Sequence, residues 1–518
     1  YTTTINKKHN ITAILVQSAQ KETKKTDNVT ATDYPNDYIQ TVNGGTVTKG
    51  GSDKTQWSIA SYLARVQYNY EGRYMLSAAI RTDGSSRFGK NNRWGYFPSA
   101  SAAWRISDEK FFKNVKELSF VNDMKIRASY GELGNENIGE YQYMASMNRN
   151  NMTYSFGNSL VTGSAVSTFV NNDIAWEKKK TTNVGIDLAM FNNRLEFTAE
   201  WYKNKSEDLL YSVPVPAQTG VSNTFVTMNA ASMENSGFEF SATYRNRDHA
   251  LKYDISANVS TLKNKVTSLG IGKNSYITGA YATYVGQEIG KFYGWIYEGI
   301  ARTQDELDGH ATQQGANVGD CLYKDISGPN GEPDGVIDAY DQTVLGSGLP
   351  KVNFGLSTHM EYKGFDLNIS TYGVLNYHVS DDIYNSLNSC YGYGNKEVGM
   401  LDANRWSEDG STYLSSVPRT YAANNATLGW NDLFSSRKIQ NAAYWKIANV
   451  ELGYNFPDKW FGGYVSGVRL YVSAQNLYTF TGYHGYNVDY AGGTFTPGYN
   501  FCSFPSARTF MCGLHFTF

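Results

Sequence analysis

Segments in which apolar and polar residues alternate recur along most of this 518-residue chain. In the segment 183–190, for example, Val184, Ile186 and Leu188 alternate with polar or small residues. Successive side chains of a β-strand point to opposite faces of the sheet. Each of these segments therefore predicts a strand with one apolar face and one polar face.

Matching this two-residue period along the chain predicts about fifteen strands. Many of them run to about ten residues, which is longer than the ~5–6 residues typical of strands in soluble proteins. The predicted strands begin near residues 1, 9, 56, 73, 96, 122, 180, 194, 236, 250, 352, 365, 443, 467 and 508.

Short connections between the predicted strands alternate with long ones, and 107–121 is the one connection of medium length. Bacterial outer-membrane barrels have this asymmetry, with short periplasmic turns and longer extracellular loops, whereas a soluble sandwich shares only the alternation of faces. We therefore predict an all-β fold, a transmembrane antiparallel β-barrel. The long connections are 21–55, 132–179, 207–235, 263–351, 377–442 and 480–507, and we expect 263–351 and 377–442 to be large extracellular loops.

The bulk composition is compatible with such a barrel. Only 41% of residues are hydrophobic and the mean hydropathy is −0.47, with no apolar run near the ~18 residues that a spanning helix requires. A barrel strand needs an apolar residue only at every second position. The net charge of −2 gives no electrostatic footprint for nucleic acid, and the four cysteines have neither zinc-site spacing nor a disulfide framework.

The last segment, 508–518, predicts a strand with one strongly apolar face, and it ends on an aromatic residue. Phe510, Leu514, Phe516 and Phe518 share one parity, and small or polar residues occupy the other. Strands of this kind close outer-membrane barrels by pairing with the first strand, which leaves no free edge. We expect these residues to form the C-terminal barrel signature.

Several segments resemble the C-terminal barrel of SusC/RagA-type TonB-dependent outer-membrane transporters. The matches are specific as a set and spread over most of the chain. They are Tyr70–Arg105, Met124–Asn135, Asn235–Tyr244, Tyr444–Tyr454 and Val468–Leu477, together with the terminal Phe518. The resemblance implies the outer membrane of a Gram-negative, Bacteroidota-like bacterium.

Transporters of this family resemble 22-stranded barrels with a plugged lumen, so about seven strands and the plug domain are not in this chain. Residues 1–518 would then be the C-terminal portion of the barrel. Because an open sheet in lipid leaves backbone groups unpaired along its edges, we expect a second chain or an N-terminal segment to complete the barrel.

The resemblance also implies a function and partners. The protein would import oligosaccharides or oligopeptides with energy from a TonB complex acting on the plug, and a SusD-like surface lipoprotein would cover the barrel as a lid. Motifs of the common hydrolases, nucleotide-binding proteins and metalloproteases are missing, so we expect no enzyme activity. A passive porin-type diffusion channel and a surface adhesin or structural barrel stay open as alternatives.

One loop concentrates oxygen ligands around glycines, in the manner of the second half of a calcium-binding loop. Its first half departs from the EF-hand spacing, and an acidic, turn-rich loop without an ion is the alternative. The candidate ligands of a structural Ca²⁺ are Asp325, Asn330, Asp334, Asp338 and Asp341.

Aromatic residues in the long loops are weak candidates for binding substrate, since they stack on sugar rings or grip peptide side chains, but they equally suit packing between loops. These aromatics are Trp295, Tyr297, Tyr391, Tyr393 and Trp430. The run Lys178–Lys180 predicts a solvated strand entrance, with contact to outer-membrane lipid or lipopolysaccharide phosphates as the alternative.

Overall fold

One large sheet dominates the computed structural model, which describes the chain except for residues 146, 149–152, 167, 169, 216–217, 219–224, 271, 390–394, 399–404, 408–411, 413–414, 421–428, 461–464, 491 and 502. The sheet has sixteen strands in the described part of the chain. Numbered along the chain, they are β1 Thr2–Ile5, β2 His9–Thr32, β3 Thr46–Tyr70, β4 Tyr74–Ser85, β5 Trp94–Arg105, β6 Val121–Asn135, β7 Glu177–Met190, β8 Leu195–Pro214, β9 Phe225–Asn246, β10 Leu251–Thr261, β11 Lys263–Ser268, β12 Val352–Tyr362, β13 Phe365–Leu375, β14 Tyr444–Phe456, β15 Gly467–Thr481 and β16 Thr509–Thr517.

Apart from β11, the strands follow one another in an antiparallel meander from β1 to β16, in which β10 pairs with β12. In the described residues β1 and β16 each pair with a single neighbour. β11 instead turns back and pairs with the upper part of β9. The meander confirms the prediction of about fifteen wall strands. Most predicted starting points lie within a few residues of the observed ones, as for β12, β13 and β15.

Four strands, β2, β3, β8 and β9, extend further at the extracellular end than predicted. The expected connection 21–55 is wrong in its extent, because β2 continues to Thr32 and β3 begins at Thr46, and the two strands pair over this whole length. The connection expected at 207–235 is shortened in the same way by β8 and β9. The extension of β2 and β3 is exposed and polar, so the apolar alternation that reveals a strand at membrane depth is lost there. The extension of β8 and β9 instead carries buried or partly buried apolar residues such as Leu210, Val213 and Val226.

The connections between the strands, at both ends of the wall, contain short elements of their own. In the described residues the α-helices are Lys110–Lys113, Gln304–Asp308 and Asp382–Leu387, and the 3₁₀ turns are Val42–Gly44, Ile106–Asp108, Lys116–Leu118, Ala339–Asp341, Trp430–Asp432, Ser436–Lys438 and Asp458–Trp460. The short strands are Met147–Asn148, Thr153–Phe156, Ser159–Thr162, Ala165–Val166, Ser275–Thr278, Tyr281–Tyr284, Lys291–Gly294, Tyr297–Ile300, Cys321–Tyr323, Thr343–Ser347, His378–Asp381, Gln440–Asn441, Gly492–Gly493, Thr496–Pro497 and Tyr499–Asn500. Across the described ranges, none of the helices has the length and apolar character needed to cross a bilayer.

The well-buried apolar residues lie mainly in the connections and at the upper ends of strands. Phe88 and Trp176 form one cluster, and Cys321, Tyr323 and Ile337 form another. The sheet itself is a single layer, with large apolar side chains such as Leu76 and Ile80 about half exposed on its outer face. A one-layer wall with an exposed apolar face suits contact with lipid and excludes the packed interior of a sandwich.

Candidate functional site

The register of the strands places residues of one chemical character on each face of the wall. Leu76 on β4 lies opposite Tyr68 on β3 and Ala102 on β5, and all three belong to the apolar outer face. The next residue, Ser77, lies opposite Gln67 on the inner face. Because side chains alternate along each strand, the same separation continues from row to row, and the polar inner face is the surface that a passing solute would meet.

Ion pairs cross the inner face between neighbouring strands. Arg127 on β6 lies 3.2 Å from Asp187 on β7 and 2.6 Å from Glu200 on β8, and Lys125 lies 3.0 Å from Asp187. Gly185 makes room for this guanidinium, because a Cβ at that position would lie 2.9 Å from Arg127 Cζ. The charges of the inner wall in this region are therefore largely neutralised by one another.

A second network of the same kind lies at the other side of the sheet. The Nε atom of Arg469 on β15 is 2.9 Å from Asp366 Oδ2, and its Nη2 atom is 2.6 Å from Glu451. Asn455 donates to Asp366 at 2.9 Å. Gly453 again leaves the space, because its added Cβ would lie 2.6 Å from both Arg469 and Asp366.

A cleft of about 760 Å³ opens on the inner face between β3 and β7. Serine and glycine residues form its floor, and Phe97 and Trp176, with ring centroids 5.4 Å apart, close one end. Arg81 is held by Asp83 at 2.7 Å, while Arg65 donates to Ser77 at 3.4 Å and makes no ion pair with any described residue. Because Asp83 and Glu136 also line the cleft, its polar groups suit a hydroxyl-rich solute better than an anion.

The connection 482–508 is fastened to the inner wall by one carboxylate. Asp489 lies 2.6 Å from the Nζ atom of Lys446 and accepts hydrogen bonds from the hydroxyls of Tyr372 and Tyr444 at 3.0 and 3.1 Å. Lys446 is only 3% exposed, so Asp489 takes the place of water as the partner of its ammonium group. Beside it, burial followed by the charge of Asp489 raises the pKa of Tyr377 to about 12.

Two extracellular connections are joined by a second buried polar group. Asn500 donates to Asp381 at 3.1 Å and to the hydroxyl of Tyr483 at 2.8 Å, and Tyr483 also donates to Asp381. Burial and the bond to this carboxylate raise the pKa of Tyr483. Ser380 pairs in parallel with Tyr499 at the same place, so the two connections form one unit.

The predicted calcium ligands are mostly engaged with backbone amides. Asp341 is fully buried and accepts from the amides of Ile326 at 2.8 Å and Asp338 at 2.8 Å. Asp338 caps the turn that follows it. Through these hydrogen bonds the two carboxylates stabilise the backbone conformation of the loop.

The remaining candidates lie at the exposed part of this loop. Asp325 Oδ2 accepts from the amide of Gly335 at 2.7 Å, Asp334 accepts from Val336 at 3.0 Å, and Asn330 is exposed. Asp325 Oδ1 is buried and has no hydrogen-bond partner among the described residues. The residues that the structure describes contain no group of three or more acidic, His or Cys side chains that could hold a metal ion, so the calcium site stays a prediction from sequence.

Three of the predicted loop aromatics, Trp295, Tyr297 and Trp430, pack around one buried cluster that contains Tyr323. Trp295 and Trp430 lie 6.4 and 6.2 Å from the ring of the buried Tyr323, and their indole nitrogens donate to backbone carbonyls. Tyr297 packs against the same cluster. These contacts give them a role in loop packing, and Tyr391 and Tyr393 lie outside the described residues.

The residues of the expected C-terminal signature lie on the outer face of β16. Phe510, Leu514 and Phe516 lie opposite Ala474, Leu470 and Val468 of β15, and Phe518 follows the last residue of the strand. All four side chains are exposed.

The sequence alone did not reveal the charged networks of the inner wall or the Asp489 contacts. Each joins residues from distant segments, and the strand register that brings them together depends on bulges, as between Ile447 and Asn449. The alternation of charged with apolar residues, as at Lys125, Arg127 and Arg469, is the signal that places charges on the inner face.

An antiparallel wall with an apolar outer face, a charged inner face and long folded connections at one end defines a β-barrel protein of the bacterial outer membrane. The sequence matches the model of the TonB dependent receptor-like β-barrel family over residues 17–477, and the chain belongs to this family. The match confirms the family resemblance and the outer-membrane location.

Curated relatives and solved structures agree with this assignment. The chain is 31% identical to a TonB-dependent receptor of Formosa agariphila, with 100% of this chain and 52% of the relative covered. It is 30% identical to the TonB-dependent receptor SusC of Bacteroides thetaiotaomicron, covering 90% and 44%. A structure of the RagAB peptide transporter has the same fold, with a TM-score of 0.83 and 24% identity over 99% of this chain and 54% of that one. The chain thus spans about half the length of these relatives.

Proposed function

We propose that this chain is the C-terminal part of the barrel of an energised outer-membrane importer for oligosaccharides or oligopeptides. The observation that carries the proposal is the polar inner face, which continues over the strands of the antiparallel meander. The connections at the extracellular end of this face fold into packed units. Membership in a family of TonB-dependent receptors supports the energised mode of transport.

The proposed partners follow from the same assignment. Further strands, from a preceding segment or a second chain, would complete the wall, because no described strand pairs with β1 and β16 along their free edges. A plug inside this wall would receive force from a TonB complex. A SusD-like lipoprotein would bind the extracellular connections 263–351 and 377–442 and close over the substrate.

The mechanism for this chain is containment and passage. The inner wall offers hydroxyl groups, paired charges and the cleft at Arg65, which can form exchangeable hydrogen bonds with sugars or peptides. Paired charges hold a passing solute weakly, since each is already satisfied within the wall. We expect no covalent chemistry in this chain.

Uptake by living cells tests the proposal. A deletion strain complemented with the full-length gene should take up labelled oligosaccharides or oligopeptides, and uptake should stop when TonB is removed. Uptake that persists without TonB would instead favour a passive channel. Binding to host cells or matrix, with no uptake of either substrate class, would favour an adhesin.

A further inference from the structure

The lipid-facing side of the wall carries six lysines on β7, β8 and β11. The apolar outer face of β4, β5 and β6 continues in register to Val184 of β7 and Trp201 of β8. Alternate residues of a strand share a face, so the even-numbered lysines of β7 and the odd-numbered lysines of β8 point the same way as these apolar residues. The six lysines, called the outer lysine cluster below, are Lys178, Lys180, Lys203, Lys205, Lys263 and Lys265.

The strand register arranges the outer lysine cluster in three successive rows. The first row holds Lys203 and Lys263, the second holds Lys180, Lys205 and Lys265, and the third holds Lys178. Lys180 and Lys205 lie directly opposite each other, and like charges in that position destabilise a strand pair. The carboxylate of Glu207 lies 2.6 Å from each of these two lysines and offsets the repulsion.

The other carboxylates near the cluster are engaged as well. Glu234 lies 2.9 Å from Lys203, and Glu132 accepts a hydrogen bond at 2.6 Å from a tyrosine hydroxyl of its own strand. Glu288, which lies beside β11, pairs with Lys351. Each of these carboxylates therefore already has a partner.

Three members of the cluster, Lys178, Lys263 and Lys265, form no ion pair with any residue that the structure describes. β7, β8 and β9 have a paired strand of this chain on both sides, so the residues that flank the cluster are themselves described. The segment 209–233, which continues β8 and β9 above the cluster, contains no charged residue. Even with Asp208, at the bulge of β8, six lysines face four carboxylates, so the surface keeps an excess of two positive charges.

The cluster begins where the apolar band of the wall ends. On β8 the outer face is apolar from Leu195 to Trp201, and Lys203 and Lys205 follow Trp201 by about 7 and 13 Å along the strand. Tryptophan and tyrosine side chains on the outer surface of a barrel lie at the level of the lipid headgroups. The lysines therefore lie in the headgroup layer and in the region just outside it.

We infer that the outer lysine cluster binds lipopolysaccharide of the outer leaflet through acidic groups, phosphate or carboxylate, on more than one of its sugars. β11 lies three strand spacings from β7, so the cluster spans roughly 14 Å across the wall. A phospholipid headgroup with one phosphate reaches only part of this span, whereas a headgroup of several acidic sugars covers it. The inference rests on the outer face being in lipid and is independent of what the protein transports.

Native mass spectrometry of the full-length protein, delipidated in neutral detergent, tests this inference. Wild-type protein and the variants Lys178→Gln/Lys265→Gln and Lys179→Gln/Lys324→Gln would be titrated with a short-chain lipopolysaccharide, phosphatidylglycerol and inorganic phosphate. Lys179 faces the inner side of β7 and Lys324 lies exposed in an extracellular connection, so the second variant removes the same charge elsewhere. At about fivefold in affinity for each lysine, the first variant should bind lipopolysaccharide roughly 25-fold more weakly.

The control variant should bind lipopolysaccharide like the wild type, and phosphatidylglycerol should bind the wild type more weakly than lipopolysaccharide does. Unchanged binding by Lys178→Gln/Lys265→Gln would overturn the inference, as would an equal loss in both variants. Phosphatidylglycerol that binds as tightly as lipopolysaccharide would refute the requirement for several acidic sugars. Displacement of lipopolysaccharide by millimolar inorganic phosphate would reduce the cluster to a general anion site and would also count against the proposal.

Discussion

The contact between Asp489 and Lys446 gives the sharpest prediction about the extracellular connections. Substituting Asp489→Ala removes the only carboxylate within ion-pairing distance of a lysine whose side chain is 4% exposed in the described structure, and it also leaves two tyrosine hydroxyls without their acceptor. Breaking a buried pair by deleting one partner costs about 3–5 kcal/mol. The carboxylate itself is 26% exposed, so we expect the lower end, about 3 kcal/mol.

Hydrogen exchange measured by mass spectrometry can follow this change locally. Since each 1.4 kcal/mol corresponds to a factor of ten, amides in the segment 482–490 should exchange roughly 100-fold faster in the variant. The double variant Lys446→Met/Asp489→Leu should recover most of the protection, because an apolar pair replaces a buried ion pair at little cost. Asp37→Ala, in the exposed connection between β2 and β3, should change nothing.

Two results would refute this reasoning. Exchange that is within about twofold of the wild type in Asp489→Ala would mean that other contacts hold the connection. A double variant as unprotected as the single one would mean that the geometry of the hydrogen bonds, and not the isolated charge, is what stabilises this unit.

Three further predictions concern other parts of the chain. Burial alone would raise the pKa of Glu288, but its bonds to Lys351 and Ser347 outweigh burial and lower the pKa. The stability that these bonds give is present above about pH 4.5 and is lost as the pH falls through the lowered pKa. Hydrogen exchange of the amides around Glu288 should therefore accelerate at acidic pH in the wild type and not in Glu288→Gln. The predicted calcium site implies that calorimetry detects Ca²⁺ binding that Asp334→Ala abolishes, and no heat in the wild type would remove the site. Gly453→Val should displace Arg469 and lower the free energy of unfolding by about 1–3 kcal/mol, which would shift the unfolding midpoint to lower denaturant concentration. An unchanged midpoint would contradict the steric conflict between a side chain at position 453 and Arg469.

How much of the fold the sequence revealed depended on the surroundings of each strand. Where a strand such as β12 has lipid on one face and water on the other, the apolar alternation located it to within a residue or two. The upper halves of β2 and β3 have water on both sides, so Lys, Thr and Gly occupy both parities and the two-residue period vanishes. A two-residue period in the sequence reflects a difference between the environments of the two strand faces, and it is absent where both faces have the same environment.

The candidate sites were harder to predict than the strands, because they depend on contacts between distant segments. Asp489 meets Lys446 only after the connection 482–508 folds back on the wall, and Asp381 meets Asn500 across 119 residues. The acidic loop poses a different problem, because most of the carboxylates that suggest a metal site also accept hydrogen bonds from nearby backbone amides, and the calcium site stays a prediction. Local composition cannot distinguish a carboxylate that organises a turn from one that binds an ion.

The central claim is that the outer face of the wall lies in hydrocarbon and the inner face in water. Spin labels placed one at a time along β4 of the full-length protein in lipid bilayers, in a background whose cysteines are replaced, measure this directly. Labels at Leu76, Ala78 and Ile80 should be accessible to oxygen dissolved in lipid, and labels at Ser77 and Ala79 to a water-soluble relaxation agent. Accessibility that does not alternate between these two sets would contradict the account.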